Sequence, residues 1–314
     1  MWEIAGGSVT GRDRLRFGKN NQDAFSWAIA KSGAIVAVVG DGCGSKTHSE
    51  VGAKIGVELV TAAIVRQLEG DGEMGRWGDG EMGKQGKQGK QGRVFNSTLH
   101  AQNSTLSIDW QQVQQEVLMQ LQSLAKAMGG DFAETVQNYF LFTIVGALVT
   151  SASATIFAIG DGVAIANGKP IQLGPFPGNA PPYLAYGLFV PSPPSPLPSL
   201  GEGCPIERGE GWQFQIHQQL SIDEVESILI GTDGVSNLIE VADRLLPGKS
   251  EPVGEVSQFW EDDRYFKNPD AIRRQLSLIN REVTKPDWQG HQLVKEVGFL
   301  PDDTTLVAMR RSKK

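Results

Sequence analysis

Short apolar runs alternate along the chain with longer stretches in which apolar residues recur every three or four positions, and the two patterns predict different elements. Strand-length runs occupy Ala24 to Ile29, Ala34 to Val39, Leu141 to Val149, Ala154 to Ile159, Gln213 to His217, Ile228 to Ile230 and Thr304 to Met309. At helical spacing, Val51, Ile55, Leu59 and Ala63 form one stripe within Glu50 to Leu68. Val113, Val117, Leu121, Leu124 and Met128 form another within Trp110 to Met128, with Asp109 placed to cap it. A further helix is predicted over Asp270 to Asn280. Strands come in clusters and helices in clusters, so the expected fold is α+β, with mainly antiparallel sheets whose faces the helices cover.

Two stretches break the pattern. About 70–92 repeats GKQ three times, and about 191–211 carries PSPPSPLPSLGEG. Both are too poor in apolar residues to offset the entropy of ordering them, so they are expected to be flexible insertions. Lys84, Lys87 and Lys90 then read as solvated linker charges. The remainder of 1–314 reads as one enzyme-sized domain, its 40% hydrophobic content enough for a large core.

A net charge of -7 gives no broad attraction for nucleic acid or an anionic membrane. The first residues lack a basic start and apolar core, and no run of about 18 apolar residues follows. The expected location is the cytoplasm. Cys43 and Cys204 offer no thiolate metal site, and His48, His100, His217 and His291 are scattered. A metal bound here would be held by oxygen, which points to hard cations.

One arrangement recurs: an apolar run, a Gly or Gly-Thr, then Asp-Gly. It appears in AIVAVVGDG at Asp41-Gly42, in ATIFAIGDG at Asp161-Gly162 and in SILIGTDG at Asp233-Gly234. Asp302-Asp303 precedes the last strand-like run, and Asp23 precedes AFSWAI. Singly, each Asp-Gly is an ordinary turn between strands. Together, carboxylates converging on one sheet end repel one another unless a cation neutralises them, and Mg²⁺ or Mn²⁺ needs only a few such ligands.

The motifs NQDAF (21–25), VVGDGCGS (38–45), IVGALV followed by AIGDG (144–149 and 159–162 for the last four residues), LIGTDGVSNLI (229–239) and PDDTTLVAM (301–309) resemble, in order, those of the PP2C-type metal-dependent protein phosphatases. VTGRDRLRFGKNNQDA is similar to a bacterial branch of that family, with Gln22 where eukaryotic forms carry Glu. The resemblance implies a four-layer sandwich of two antiparallel sheets flanked by helices, hydrolysing phosphoserine and phosphothreonine in proteins through a metal-bridged water. It assigns Asp41 as the residue bridging two Mg²⁺ or Mn²⁺ ions and the Gly42 carbonyl as a ligand of one. Asp233 and Asp302 hold the first metal, Asp23 contributes nearby, and Asp161 belongs to the motif where bacterial relatives bind a third ion. Catalysis is carried by Asp41, Asp233 and Asp302 through the bound water. The implied partner is a phosphoprotein substrate, and a monomer is expected.

Three positions depart from the family pattern. Gly18 stands where relatives carry a phosphate-clamping Arg, leaving Arg12, Arg14, Arg16 or Lys19 to supply the charge. The middle motif reads Gly-Asp-Gly instead of Gly-Asp-Ser-Arg, and Cys43 stands where eukaryotic relatives have His. Two rival readings remain: a silent copy of the fold that binds phosphorylated partners, and a nucleotide hydrolase using GDGCGSKT (40–47) as a P-loop, although Ser45 replaces the Gly expected before Lys46.

Overall fold

A computed structural model describes residues 1–70, 107–174, 176, 180–189 and 212–312. The predicted insertions, Gly70 apart, the lysine triplet, His100 and Cys204 lie outside the described residues. In chain order the strands are β1 (Trp2–Val9), β2 (Asp23–Ile29), β3 (Ile35–Gly42), β4 (Phe142–Val149), β5 (Ser153–Ile159), β6 (Val163–Ala166), β7 (Lys169–Ile171), β8 (Gln215–Ser221), β9 (Ser227–Gly231), β10 (Val283–Asp287), β11 (Gln292–Glu296) and β12 (Thr304–Arg311). The helices are α1 (Arg12–Arg16), α2 (Ser49–Glu69), α3 (Trp110–Met128), α4 (Phe132–Tyr139), α5 (Gly234–Glu240), α6 (Gln258–Glu261), α7 (Arg264–Lys267) and α8 (Ala271–Ile279).

Ten strands form two antiparallel sheets, in the orders β1-β12-β9-β6-β7 and β2-β3-β4-β5-β8, while β10 and β11 pair as a separate hairpin. Side-chain alternation sorts the apolar residues into three layers of core. From β4, Val145, Ala147 and Val149 point inward to meet Ile228 and Ile230 of β9 and Val307 and Met309 of β12. Phe142, Ile144 and Leu148 point outward, beneath α2 and α3. On the other side Leu229, Leu306 and Ala308 pack under α5 to α8. A strand covered on both faces has no polar side to show, so all eight residues of β4 are buried and its sequence reads as one apolar run. The expected α+β sandwich of two antiparallel sheets between helices is what the chain forms.

The predicted strands and the three predicted helices are present with ends shifted by a few residues. The helix faces need correction. Val51, Ile55 and Leu59 lie at the margin of α2, and the buried face is Gly52, Ala53, Gly56, Val57, Val60 and Ile64. The helix approaches its neighbours through glycine: a Cβ at Gly52 would collide with the Tyr139 carbonyl and one at Gly56 with the Phe142 ring. Asp109 does cap α3, accepting from the Gln112 N–H at 3.0 Å, but Leu124 and Met128 are 37% and 46% exposed, and Ala125 completes the buried stripe.

β1 escapes the apolar pattern because Gly6 and Gly7 interrupt it. A Cβ on Gly6 would stand 2.8 Å from the Phe25 ring, and one on Gly7 2.6 Å from the Arg273 nitrogen. Close packing has removed the side chains that would have marked the strand.

Candidate metal and phosphate site

The five aspartates singled out from the sequence come to one end of the two sheets. β2 begins at Asp23 and the antiparallel β3 reaches Asp41, so the two residues face each other across the ladder. In the other sheet β9 ends at Gly231, just before Asp233, and its antiparallel neighbour β12 starts just after Asp302-Asp303. Between the sheets the chain crosses from β5 to β6 through Gly160-Asp161-Gly162. Both glycines have positive φ, at 91° and 141°, and a Cβ on either would collide, with Thr143 and with Val145 respectively.

The carboxylates grade from interior to surface. Asp23 is buried, its Oδ2 accepting the Thr232 hydroxyl at 2.7 Å. Burial above all, then the neighbouring Asp303 and Asp233, push its carboxyl up to about 8 against the help of Thr232 and Thr305. Asp41 is half-buried and raised well above the ordinary carboxylate range by burial, then by Asp23, Asp233, Asp302 and Asp161. Asp161 is raised by burial and by Asp233. Asp233 is raised by burial and by Asp302, opposed by the Gly234 N–H, Asp41 and Arg14, although the residue as a whole is exposed. Asp302 lies at the rim, 51% exposed.

Asp302 and its neighbour have different roles. Asp303 is 2% exposed; its Oδ1 accepts the Gly11 N–H at 2.7 Å and its Oδ2 the Gln22 N–H at 2.6 Å. Arg14 Nε lies 3.0 Å from the same Oδ2 and 3.2 Å from Asp302 Oδ1. Asp303 thus ties the loop before β2 to the start of β12, a role that the Asp-Asp pair in the sequence did not reveal. Gln22 passes the connection on: its carbonyl accepts the Gly42 N–H and its side-chain amide donates to Ser49.

Gly42 is walled in by Gln22 and Ser49 backbone, so no larger residue fits there. Cys43 packs partly against the core under α2 with its Sγ 3.3 Å from Ser45 Oγ, and His48 stacks on Tyr139 at 4.8 Å. Both have structural surroundings. Of the basic candidates, Arg12 donates to the Gly298 carbonyl and pairs with Asp13, and Arg16 also pairs with Asp13. Arg14 and Lys19 line an open cleft of about 580 Å³ together with Asp13, Phe17, Gly44, Asp233 and Asp302. The P-loop reading fails on topology: β3 has antiparallel neighbours on both sides, and Asp41 lies within the strand, facing Asp23.

The donor set fits a hard cation, all oxygen and rich in uncompensated charge. Among the described residues no three His, Cys, Asp or Glu side chains close on one point as a finished cage. A Mg²⁺-like ion that keeps several waters and takes one or two carboxylates does not require such a cage.

The chain is similar over its full length to a bacterial serine phosphatase, at 13% identity with all of both chains covered and a TM-score of 0.47. It is similar to the S. agalactiae serine/threonine phosphatase at 12% identity, covering 99% of this chain and 100% of that one, with a TM-score of 0.49. It is also similar to the catalytic domain of PstP, a serine threonine protein phosphatase in complex with two manganese ions, at 13% identity, covering 99% of each chain, with a TM-score of 0.42. Among curated proteins no sequence matches. The family model described as Protein phosphatase 2C matches residues 10–262, which takes in Asp23, Asp41, Asp161 and Asp233 and leaves Asp302 beyond its end. Since that match runs over well more than half of the sequence, the chain belongs to the protein phosphatase 2C family.

Proposed function

We propose that the chain hydrolyses phosphoserine and phosphothreonine in proteins at a site for two Mg²⁺ or Mn²⁺ ions, with Asp161 available to a third. The supporting observation is the convergence of carboxylates from both sheets, several raised by burial and mutual repulsion, an arrangement that a divalent cation would relieve. Asp41, the Gly42 carbonyl, Asp233 and Asp302 are the proposed holders, with Asp23 beside them. When bound, the ions supply activated water and stabilise the attacking and leaving oxygens.

The protein's contribution is rigidity. Asp41 and Asp23 sit in facing strands, and the Thr232 hydroxyl fixes one oxygen of Asp23. Asp233 opens α5 and Asp302 precedes β12, so each is carried by an element anchored in the core. The exposed rim at Asp233 and Asp302 leaves the site open to a side chain on a protein substrate. A single domain over 1–314, acting as a monomer in the cytoplasm, belongs to the same reading. Among the described residues no helix is long and apolar enough to cross a membrane.

One observation favours a second reading, a phosphate-binding module without turnover: Arg14 engages Asp302, one of the proposed metal holders. Hydrolysis of p-nitrophenyl phosphate and of a phosphothreonine peptide, with Mn²⁺, with Mg²⁺ and with EDTA, decides between them. Turnover that needs metal and disappears in Asp41→Ala and Asp233→Ala supports the enzyme. Folded protein without turnover under either metal leaves the binding module.

A further inference from the structure

A phosphomonoester entering the cleft passes Asp233 and Asp302, and a cation in the wall offsets their repulsion of its negative charge. Among the described residues that line the cleft, Arg14 and Lys19 are the cations. They differ in what holds them. The Arg14 side chain is only 12% exposed, with Nε set against Asp302 and Asp303, whereas Lys19 is an exposed side chain.

Tethering through Nε orients the guanidinium. Its two terminal nitrogens make no hydrogen bond to a described residue, so the paired N–H edge remains available. Gly44 forms the facing wall: a Cβ there would stand 3.1 Å from Nη2, so glycine keeps the approach to that edge open. A planar cation presenting two parallel N–H groups matches two oxygens of a phosphate, a match that an ammonium lacks.

We propose that Arg14 is the residue that recognises the substrate phosphate, with Asp303 as the positioning residue that aims it. This rests on the phosphatase reading for its substrate, but phosphate binding tests it separately. Asp303 is suited to that role because it is buried and holds the backbone on either side of α1, at Gly11 and Gln22, as well as the guanidinium itself.

The experiment compares wild type, Arg14→Ala, Arg14→Lys and Arg16→Ala in Mn²⁺, measuring KM and kcat for the phosphothreonine peptide, inhibition by inorganic phosphate, and calorimetric binding of inorganic phosphate and of Mn²⁺. Loss of a bidentate charge-assisted contact predicts that Arg14→Ala raises KM and weakens inorganic phosphate by about 10- to 100-fold. Arg14→Lys should restore part of the loss, Arg16→Ala should match wild type, and Mn²⁺ affinity should persist throughout. Phosphate affinity in Arg14→Ala within about twofold of wild type overturns the proposal, as does a loss confined to Mn²⁺ binding, which would make Arg14 a neutraliser of Asp302 and Asp303. If Arg14→Ala does not fold, Arg14→Lys decides by itself, because it keeps the charge and loses the fork: unchanged KM and phosphate affinity overturn the proposal. If wild type binds phosphate without turnover, the phosphatase reading fails while calorimetry still judges Arg14; if wild type binds no phosphate, the proposal fails too.

Discussion

Replacing Asp303 should damage the fold far more than replacing Asp302, although the two are adjacent and carry the same charge. Asp303 is 2% exposed, and its two oxygens receive the Gly11 and Gln22 N–H groups and approach Arg14 Nε. In Asp303→Ala both backbone donors lose their partner, at about 1–3 kcal/mol each, and the guanidinium loses its buried counter-charge. Release of the carboxylate's own burial penalty, visible in its raised pKa, offsets part of this. The net expectation is a loss of about 3–5 kcal/mol, a large share of the roughly 5–15 kcal/mol that holds a typical protein folded. Asp303→Asn keeps one acceptor oxygen but turns an amide N–H toward a donor, and should cost about 2 kcal/mol. Asp302→Asn, at a half-exposed position, should stay within about 1 kcal/mol. Urea unfolding followed by fluorescence, with EDTA present so that metal binding does not enter, measures all three. A loss below about 1 kcal/mol in Asp303→Ala would refute the reasoning, because it would mean that water satisfies both donors.

Three further outcomes follow from other parts of the molecule. Gly52→Ala should destabilise by about 2 kcal/mol or more, since its Cβ meets the immobile Tyr139 carbonyl, and thermal unfolding would show it; a melting point equal to wild type would place the helix wrongly. Mn²⁺ at about 100 times its dissociation constant should stabilise wild type by about 2.7 kcal/mol and leave Asp41→Ala and Asp233→Ala unmoved in the same thermal scan. The Arg310 guanidinium beside Asp263 holds that carboxyl below its ordinary value, so its stabilisation is present above the unfolded pKa and lost as pH falls through the lowered folded one. Asp263→Asn should therefore lower stability slightly near neutrality, leave it unchanged at pH below the folded pKa and so flatten the acid limb, read by urea unfolding across pH.

Much of the fold could be read from the sequence because its central strands are covered on both faces. Phe142 to Val149 is buried throughout and apolar but for Thr143, so the run stands out. The site was legible for a related reason: an Asp-Gly after such a run has its position fixed by the strand. What stayed hidden was written in small residues or in long-range partners. Gly6 and Gly7 conceal β1, Gly52 and Gly56 displace the contact face of α2, and nothing local distinguishes Asp303 from Asp302. The partners of Asp303 lie 281 and 292 residues away, beyond any pattern of spacing. The same distance concealed which of Arg12, Arg14 and Arg16 enters the cleft.

The crossing from β5 to β6 carries a kinetic consequence. Asp23 and Asp41 belong to one sheet and Asp233 and Asp302 to the other, with Asp161 on the strap between them. A chain in which either sheet forms alone therefore holds only part of the carboxylate set. If the sheets dock late in folding, a cation has little to grip before the rate-limiting step, and its binding energy appears almost wholly in the native state. Saturating metal would then leave the folding limb of a chevron in place and slow the unfolding limb, making the ion a lock on the assembled protein instead of a template for its assembly.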